Sequence, residues 1–220
     1  MSIIDCDTIG VMVWEYFILV IIVILISVVV HEVMHGVVAY WLGDDTAKIN
    51  KRLSFNPIKH IDPIMSILVP LVLALSGGPI FGGAKPVPIN PYNLKWKEWG
   101  MALVAISGPL TNFILAFIFF TIFVVFHQNP NDLFGMFLLL GFRVNIGFCI
   151  FNLLPIPPLD GSRVLYAIAP DGIRRFIASM ERYGIIIVFI LVIFFGGFLG
   201  QIMNGAIEGL TNFFISIFGL

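Results

Sequence analysis

The residues with the clearest chemical potential are two histidines and a glutamate near the N-terminus. His31, Glu32 and His35 form the pattern H-E-x-x-H inside a long apolar run. On a helix, residues four apart share a face, so the two imidazoles can bind one zinc ion. The intervening glutamate can then take a proton from the attacking water. This pattern predicts a hydrolytic metal site with Glu32 as its catalytic base.

The alternative is that these polar groups lie at a helix end and reach out to water. Counting back from Leu42 at about 1.5 Å per residue, His35 lies roughly 10 Å and His31 roughly 16 Å below the helix end. Ionisable groups at such depth in an apolar helix are costly and are functional candidates. The metal site is therefore the favoured interpretation.

A third ligand is required, because catalytic zinc usually keeps three protein ligands and one open position. The candidate is Asp160, which follows a proline-rich stretch that begins near Asn152. The prolines predict a helix break, and non-helical backbone at membrane depth is tolerated where it lines a cavity bounded by protein. Alone, Asp160-Gly161 indicates an ordinary turn at a helix exit. Beside a two-histidine site that lacks a ligand, metal binding is favoured.

The composition places the chain among membrane proteins. Its 220 residues are 59% hydrophobic and 11% charged, and the mean hydropathy is +1.03. Soluble domains are about a quarter charged. The net charge of −1 offers no basic stripe for phosphates, which argues against nucleic-acid binding. Cys6 and Cys149 match no metal or disulfide pattern. We expect one membrane-embedded, all-α polytopic domain over 1–220.

Several apolar runs are long enough to span a bilayer, which takes about 20 residues. The four predicted spans are 11–42, 100–126, 134–156 and 184–204. A shorter run at 64–80, broken by proline and glycine, predicts a re-entrant or interfacial segment, with a fifth span as the alternative. The apolar tail from Gly205 predicts at most an interfacial helix.

Lysine and arginine residues set the predicted orientation. Seven of the twelve lie within 43–99 and four within 157–183, whereas the N-terminal tail and the loop at 127–132 have none. Basic segments stay cytoplasmic. We therefore expect the N-terminus outside and the zinc-binding residues near the cytoplasmic side. A crossing by 64–80 would place two basic segments on opposite sides.

The H-E-x-x-H pattern, taken with Asn152-x-x-Pro-x-x-Pro-Leu-Asp160-Gly161, resembles the site-2 protease family of intramembrane zinc metalloproteases. Segments 60–63, 83–91 and 107–112 are also similar to that family, and the likeness covers about 20–170. The resemblance implies one zinc ion held by His31, His35 and Asp160, with Glu32 activating water. It also implies a substrate that is a transmembrane helix of another protein, in a prokaryotic cell membrane. The chain has no room for the PDZ or CBS domains of larger members.

Two amides each allow two interpretations. Asn112 and Asn152 are predicted either to donate to the substrate backbone or developing oxyanion, or to link helices by hydrogen bonds. The loop at 83–91 predicts a short β-like segment that pairs with unwound substrate, or a rigid loop. Two rival functions are a zinc hydrolase acting on lipids or small amphiphiles, and a transporter or scaffold with structural metal. The intact Glu32 argues against structural metal.

Overall fold

The computed structural model describes residues 6–63, 66 and 83–219, with the side chains of 6–13 and 185 excepted. The α-helices of this part of the chain are α1 (Cys6–Trp41), α2 (Thr46–Ile49), α3 (Lys97–Val125), α4 (Leu133–Asn152), α5 (Asp160–Ile168), α6 (Asp171–Glu181) and α7 (Gly184–Phe218). Short 3-10 turns lie at Pro57–His60 and Pro91–Asn93. The predicted segment at 64–80 lies almost entirely outside the described residues.

Four of these helices are long and apolar enough to cross a membrane: Trp14–Trp41, Lys97–Val125, Leu133–Asn152 and Ile186–Phe218. The predicted all-α fold and the four spans are confirmed. The third span ends at Asn152 rather than 156, because Pro155 follows closely. The fourth span was predicted to end at 204, but α7 continues unbroken through the tail from Gly205 to Phe218.

Helix α1 owes its packing to a stripe of buried residues spaced four apart. Val23, Ser27, His31, His35 and Ala39 are all buried on this helix. That spacing keeps one face toward the neighbouring helices α3 and α4, while many other described side chains of α1, mainly in its N-terminal half, are exposed. The two histidines thus lie on the inward face by the same periodicity that builds the core.

Helix α3 is the centre of the bundle, since it packs against α1, α4 and α5. Pro109 lies inside it and is buried, beside Ser107 and Gly108. After a turn at 126–132, the Asp132 side chain accepts a hydrogen bond from the Gly135 N–H at 2.6 Å and begins α4. The long apolar helices therefore form one packed unit around α3.

The segment between α1 and α3 is held to the end of α1 by Asp44. This carboxylate is fully buried and accepts hydrogen bonds from Thr46, the Asn90 N–H and the Asn93 amide. Burial raises the pKa of Asp44, but the hydrogen bonds outweigh that effect and hold it below its ordinary value. The described residues 83–90 form an irregular loop without strand pairing. The segment predicted to be β-like is therefore a non-helical loop, and these residues form no strand.

Candidate metal centre

Three potential ligand atoms meet where α1, α3 and α5 pack together. His31 and His35 lie one turn apart on α1, and their Nε2 atoms are 3.0 Å from each other. The Asp160 Oδ2 atom, at the start of α5, lies 3.2 Å from His31 Nε2 and 3.3 Å from His35 Nε2. Both imidazoles are buried. The structure therefore brings together the three residues that the sequence predicted as ligands.

The hydrogen bonds of the imidazoles favour a cation between these atoms. His35 Nδ1 lies 2.8 Å from the Val104 carbonyl, which can only accept, so this nitrogen carries the proton. His31 Nδ1 is 2.6 Å from Asn112 Oδ1, which likewise accepts. Both Nε2 atoms then present lone pairs to each other and to a carboxylate oxygen, an unfavourable arrangement without a positive charge.

The spacing also fits zinc. Tetrahedral ligands at about 2.0–2.1 Å from zinc are roughly 3.3 Å apart, close to the separations of 3.0, 3.2 and 3.3 Å found here. Within the described part of the chain, Asp160 Oδ2 is buried and has no hydrogen-bond donor. The donor set of two imidazoles and one carboxylate is one that zinc accepts, so these residues fit the ion.

Gly108 allows α3 to approach the two imidazoles closely. A Cβ at this position would lie 2.5 Å from His35 Nε2 and 2.6 Å from His31 Cε1. Real side-chain carbons do not come this near, so any larger residue would displace the rings. Glycine is needed at this position because the metal centre fills the space beside the helix.

Asp160 owes its position to the break after α4. Residues 153–159 turn the chain, with a cis peptide bond between Pro157 and Pro158, and Asp160 begins α5. A carboxylate in the first turn of a helix is favoured by the helix dipole. A Cβ on Gly161 would overlap the Leu153 carbonyl oxygen, so glycine is required for this close return of the chain.

Glu32 does not belong to the group of converging atoms. It lies between the two histidines in sequence and is half-buried. Its Oε2 accepts a hydrogen bond of 2.9 Å from the Val87 N–H. The loop at 83–90 therefore reaches the predicted catalytic base and fixes its orientation through a backbone donor.

The two predicted amides have different surroundings. Asn112 is fully buried, and its oxygen faces His31 Nδ1 on the edge of the ring away from Asp160. Its amide nitrogen donates to Asn145 Oδ1 at 2.8 Å and to the Ser27 carbonyl at 3.4 Å. Of the two roles predicted for Asn112, these contacts are those of the amide that links helices by hydrogen bonds. Asn152 is half-buried and donates to the Phe148 carbonyl of its own helix at 3.0 Å.

Sequence reasoning missed four residues around the site: Ser27, Gly108, Asn145 and the Val87 backbone. Ser27 carried a usable signal, since it lies one turn before His31 on the same face. Gly108 and Val87 lie in the segments 107–112 and 83–91 that resemble the family, although neither was given a role. Asn145 lies far from His31 along the chain, and one sequence does not report such contacts.

Four apolar helices, with two buried histidines and a partly buried aspartate converging between them and the start of α5, are the arrangement of a membrane protein with a metal site. The chain belongs to peptidase family M50, the site-2 protease family, whose model matches residues 19–130 and 128–196. Members of this family are zinc-dependent, so the metal of the protein is zinc. The protein is an integral membrane protein.

Similar proteins agree with this assignment. "Putative zinc metalloprotease YwhC" of Bacillus subtilis (strain 168) is 36% identical over 207 residues, which cover 90% of this chain and 91% of the relative. The same descriptive name is given to MJ0611 of Methanocaldococcus jannaschii, at 34% over 155 residues (69% and 73% of the two chains). It is also given to Rip2 of Mycolicibacterium smegmatis, at 31% over 179 residues (80% and 67%). No solved structure matches the chain significantly.

Proposed function

We propose that this protein hydrolyses peptide bonds within or next to transmembrane segments of other membrane proteins. In this proposal His31, His35 and Asp160 hold one zinc ion, and Glu32 is the general base. The observation that carries it is the convergence of the three ligand atoms within 3.0–3.3 Å in an apolar bundle, with the adjacent Glu32 outside the cluster. Such an arrangement serves hydrolysis, because a structural site needs no base.

Each group of the chain has a defined part in the reaction. When bound, zinc supplies Lewis acidity that polarises the scissile carbonyl and makes water more acidic. Glu32 takes a proton from the attacking water and returns it to the leaving amine. The Val87 N–H holds one carboxylate oxygen of Glu32, so the other oxygen is the one available for the proton.

The substrate must present an extended segment to these groups. A transmembrane helix hides its amides in internal hydrogen bonds, so it must unwind locally before hydrolysis. The loop at 83–90 hydrogen-bonds to Glu32 through Val87, and in this proposal it contacts the unwound backbone. Asn152, at the end of α4 and close in sequence to Asp160, is the amide we assign to substrate or oxyanion contact.

The membrane orientation forms part of the proposal. The basic residues of 43–99 and 157–183 lie on the cytoplasmic side, and the N-terminus lies outside. The centre then opens toward the cytoplasmic end of α1, in a prokaryotic cell membrane. Substrates are cut near their cytoplasmic ends.

The chemistry is tested by Glu32→Gln, which keeps the shape of the side chain but accepts no proton. Cleavage in the membrane should fall by about 10²–10⁴-fold or more, since general-base catalysis typically supplies that factor. Uncut membrane proteins should co-purify with this variant, and zinc content should stay unchanged. The control is Glu15→Gln, an exposed glutamate on the same helix. Comparison of membrane proteomes with each variant gives the readout.

The ligand assignment is tested separately by elemental analysis. Purified protein should hold about one zinc per chain, and Asp160→Ala, His31→Ala or His35→Ala should each lower that content. Full zinc retention by Asp160→Ala would remove this residue from the site. Near wild-type cleavage by Glu32→Gln would disprove the mechanism even with the zinc site intact.

A further inference from the structure

A chain of buried side-chain hydrogen bonds runs from His31 into the bundle, away from Asp160. It passes through Asn112 on α3 and Asn145 on α4 and returns to Ser27 on α1. Asn112, Asn145 and Ser27 are each fully buried. The chain therefore joins three membrane-spanning helices at the level of one predicted zinc ligand.

The direction of every hydrogen bond in this chain is set by two backbone carbonyls. The Asn145 amide nitrogen donates to the Gly141 carbonyl at 2.8 Å, which can only accept. It also donates to Ser27 Oγ at 2.8 Å, because that hydroxyl gives its own hydrogen to the Val23 carbonyl at 2.7 Å. Both hydrogens of Asn145 are thus used, and its oxygen must face Asn112.

The orientation of the Asn145 amide in turn determines which nitrogen of His31 carries the proton. The Asn112 amide nitrogen donates a hydrogen bond to the Asn145 oxygen, so the Asn112 oxygen is directed to His31 Nδ1 at 2.6 Å. His31 must then carry its proton on Nδ1 and keep a lone pair on Nε2, the atom that faces Asp160 Oδ2. A flipped Asn112 amide would present N–H groups to His31 and favour the opposite tautomer, which cannot bind metal through Nε2.

We propose that Asn145 and Ser27 are positioning residues of the zinc site. They act through Asn112, whose orientation they fix, and they thereby hold His31 in the tautomer and ring position that bind metal. This inference rests on the proposed role of His31 as a ligand. His35 obtains the same tautomer independently from the Val104 carbonyl. Mutation of a residue that hydrogen-bonds to a metal-bound histidine typically lowers metal affinity by about 10–100-fold.

The first test replaces Asn145 with leucine, which has the same branching of side-chain atoms and no polar atoms. The Asn112 amide then loses the shorter of its two acceptors and keeps only the Ser27 carbonyl at 3.4 Å. We expect zinc affinity, measured by competition with a chelator in detergent, to fall about 10–100-fold. Ser27→Ala leaves Asn145 with one acceptor and should give a smaller loss in the same direction. The control is Ile146→Ala, a fully buried neighbour on α4, which should lower the melting temperature without weakening zinc binding.

The decisive test is rescue by the double variant Asn145→Leu with Asn112→Asp. An aspartate offers acceptors at both oxygens, so it can receive the His31 Nδ1 proton without being oriented by a partner. Zinc affinity should recover most of its loss, although the melting temperature stays low. Nitrogen NMR of histidine-labelled, zinc-free protein should show the Nδ1–H tautomer of His31 in the wild type and double variant, and its partial loss in Asn145→Leu.

Two results would overturn the proposal. One is equal loss of zinc affinity in Asn145→Leu and Ile146→Ala, which would mean that the chain only joins helices. The other is no recovery in the double variant. Zinc retention by His31→Ala is a different outcome, because it would refute the ligand assignment itself.

Discussion

Substitution of Gly108 by alanine tests whether helix packing and the zinc site share the same space. The added methyl group would lie 2.5 Å from the His35 ring and 2.6 Å from the His31 ring, so the imidazoles must move by about 1 Å to reach ordinary contact. Without metal the rings can swing aside, whereas bound zinc requires ligand distances within about 0.2 Å. The strain therefore falls mainly on the zinc-bound state.

Overpacking typically costs about 1–3 kcal/mol, and each 1.4 kcal/mol is tenfold in an equilibrium constant. Zinc affinity of Gly108→Ala should thus fall about 5- to 150-fold, measured by chelator competition with the purified protein. The matched control is Gly147→Ala on α4, where a Cβ would have nothing within 4 Å. Alanine should there leave zinc binding intact and slightly stabilise the helix. Wild-type zinc affinity in Gly108→Ala would refute the close approach of α3 to the histidines.

Two further predictions concern the segment between α1 and α3. Single cysteines at Lys51 and Lys95 should label from the same, cytoplasmic side of sealed membranes, and labelling from opposite faces would mean that 64–80 crosses the bilayer. The hydrogen bonds from Asn90 and Asn93 to the Asp44 carboxylate should stabilise residues 90–93 fully above the ordinary pKa of 3.8. This stabilisation should be lost as the pH falls through the lowered pKa of Asp44 in the folded protein. Pepsin cleavage near Asn90 should therefore rise only in strong acid in the wild type, but already at pH 5 in Asp44→Asn, as gel analysis of the fragments would show.

The sequence predicted the parts of the site that chemistry ties to residue type and local spacing. His31 and His35 lie one turn apart, so any helix through them presents both imidazoles on one face. Asp160 was found because a two-histidine centre lacks a ligand and because prolines mark the break before it. The four spans followed from apolar length alone, since the bilayer sets the number of residues needed.

The supporting contacts could not be predicted in the same way. Asn145 meets Ser27 across 118 positions of the chain, and no local pattern encodes that meeting. Asn112 was recognised as unusual, yet its partners decide whether it faces substrate or His31. The boundary at Gly205 was misplaced because glycine signals a helix end in water, whereas in lipid the lack of other partners for the backbone keeps the helix continuous.

The apolar length of α7 exceeds the thickness of a bilayer core. Its apolar portion, Ile186–Phe218, has 33 residues and is about 50 Å long, against a hydrocarbon core of about 30 Å. Helix α4, with 20 residues, matches the core closely. Tilt averages about 20°, which accommodates only part of the excess of α7. Phe214 fastens α7 to Phe120 and Phe142. Hydrophobic mismatch therefore acts on this aromatic contact, through which α7 is joined to α3 and α4.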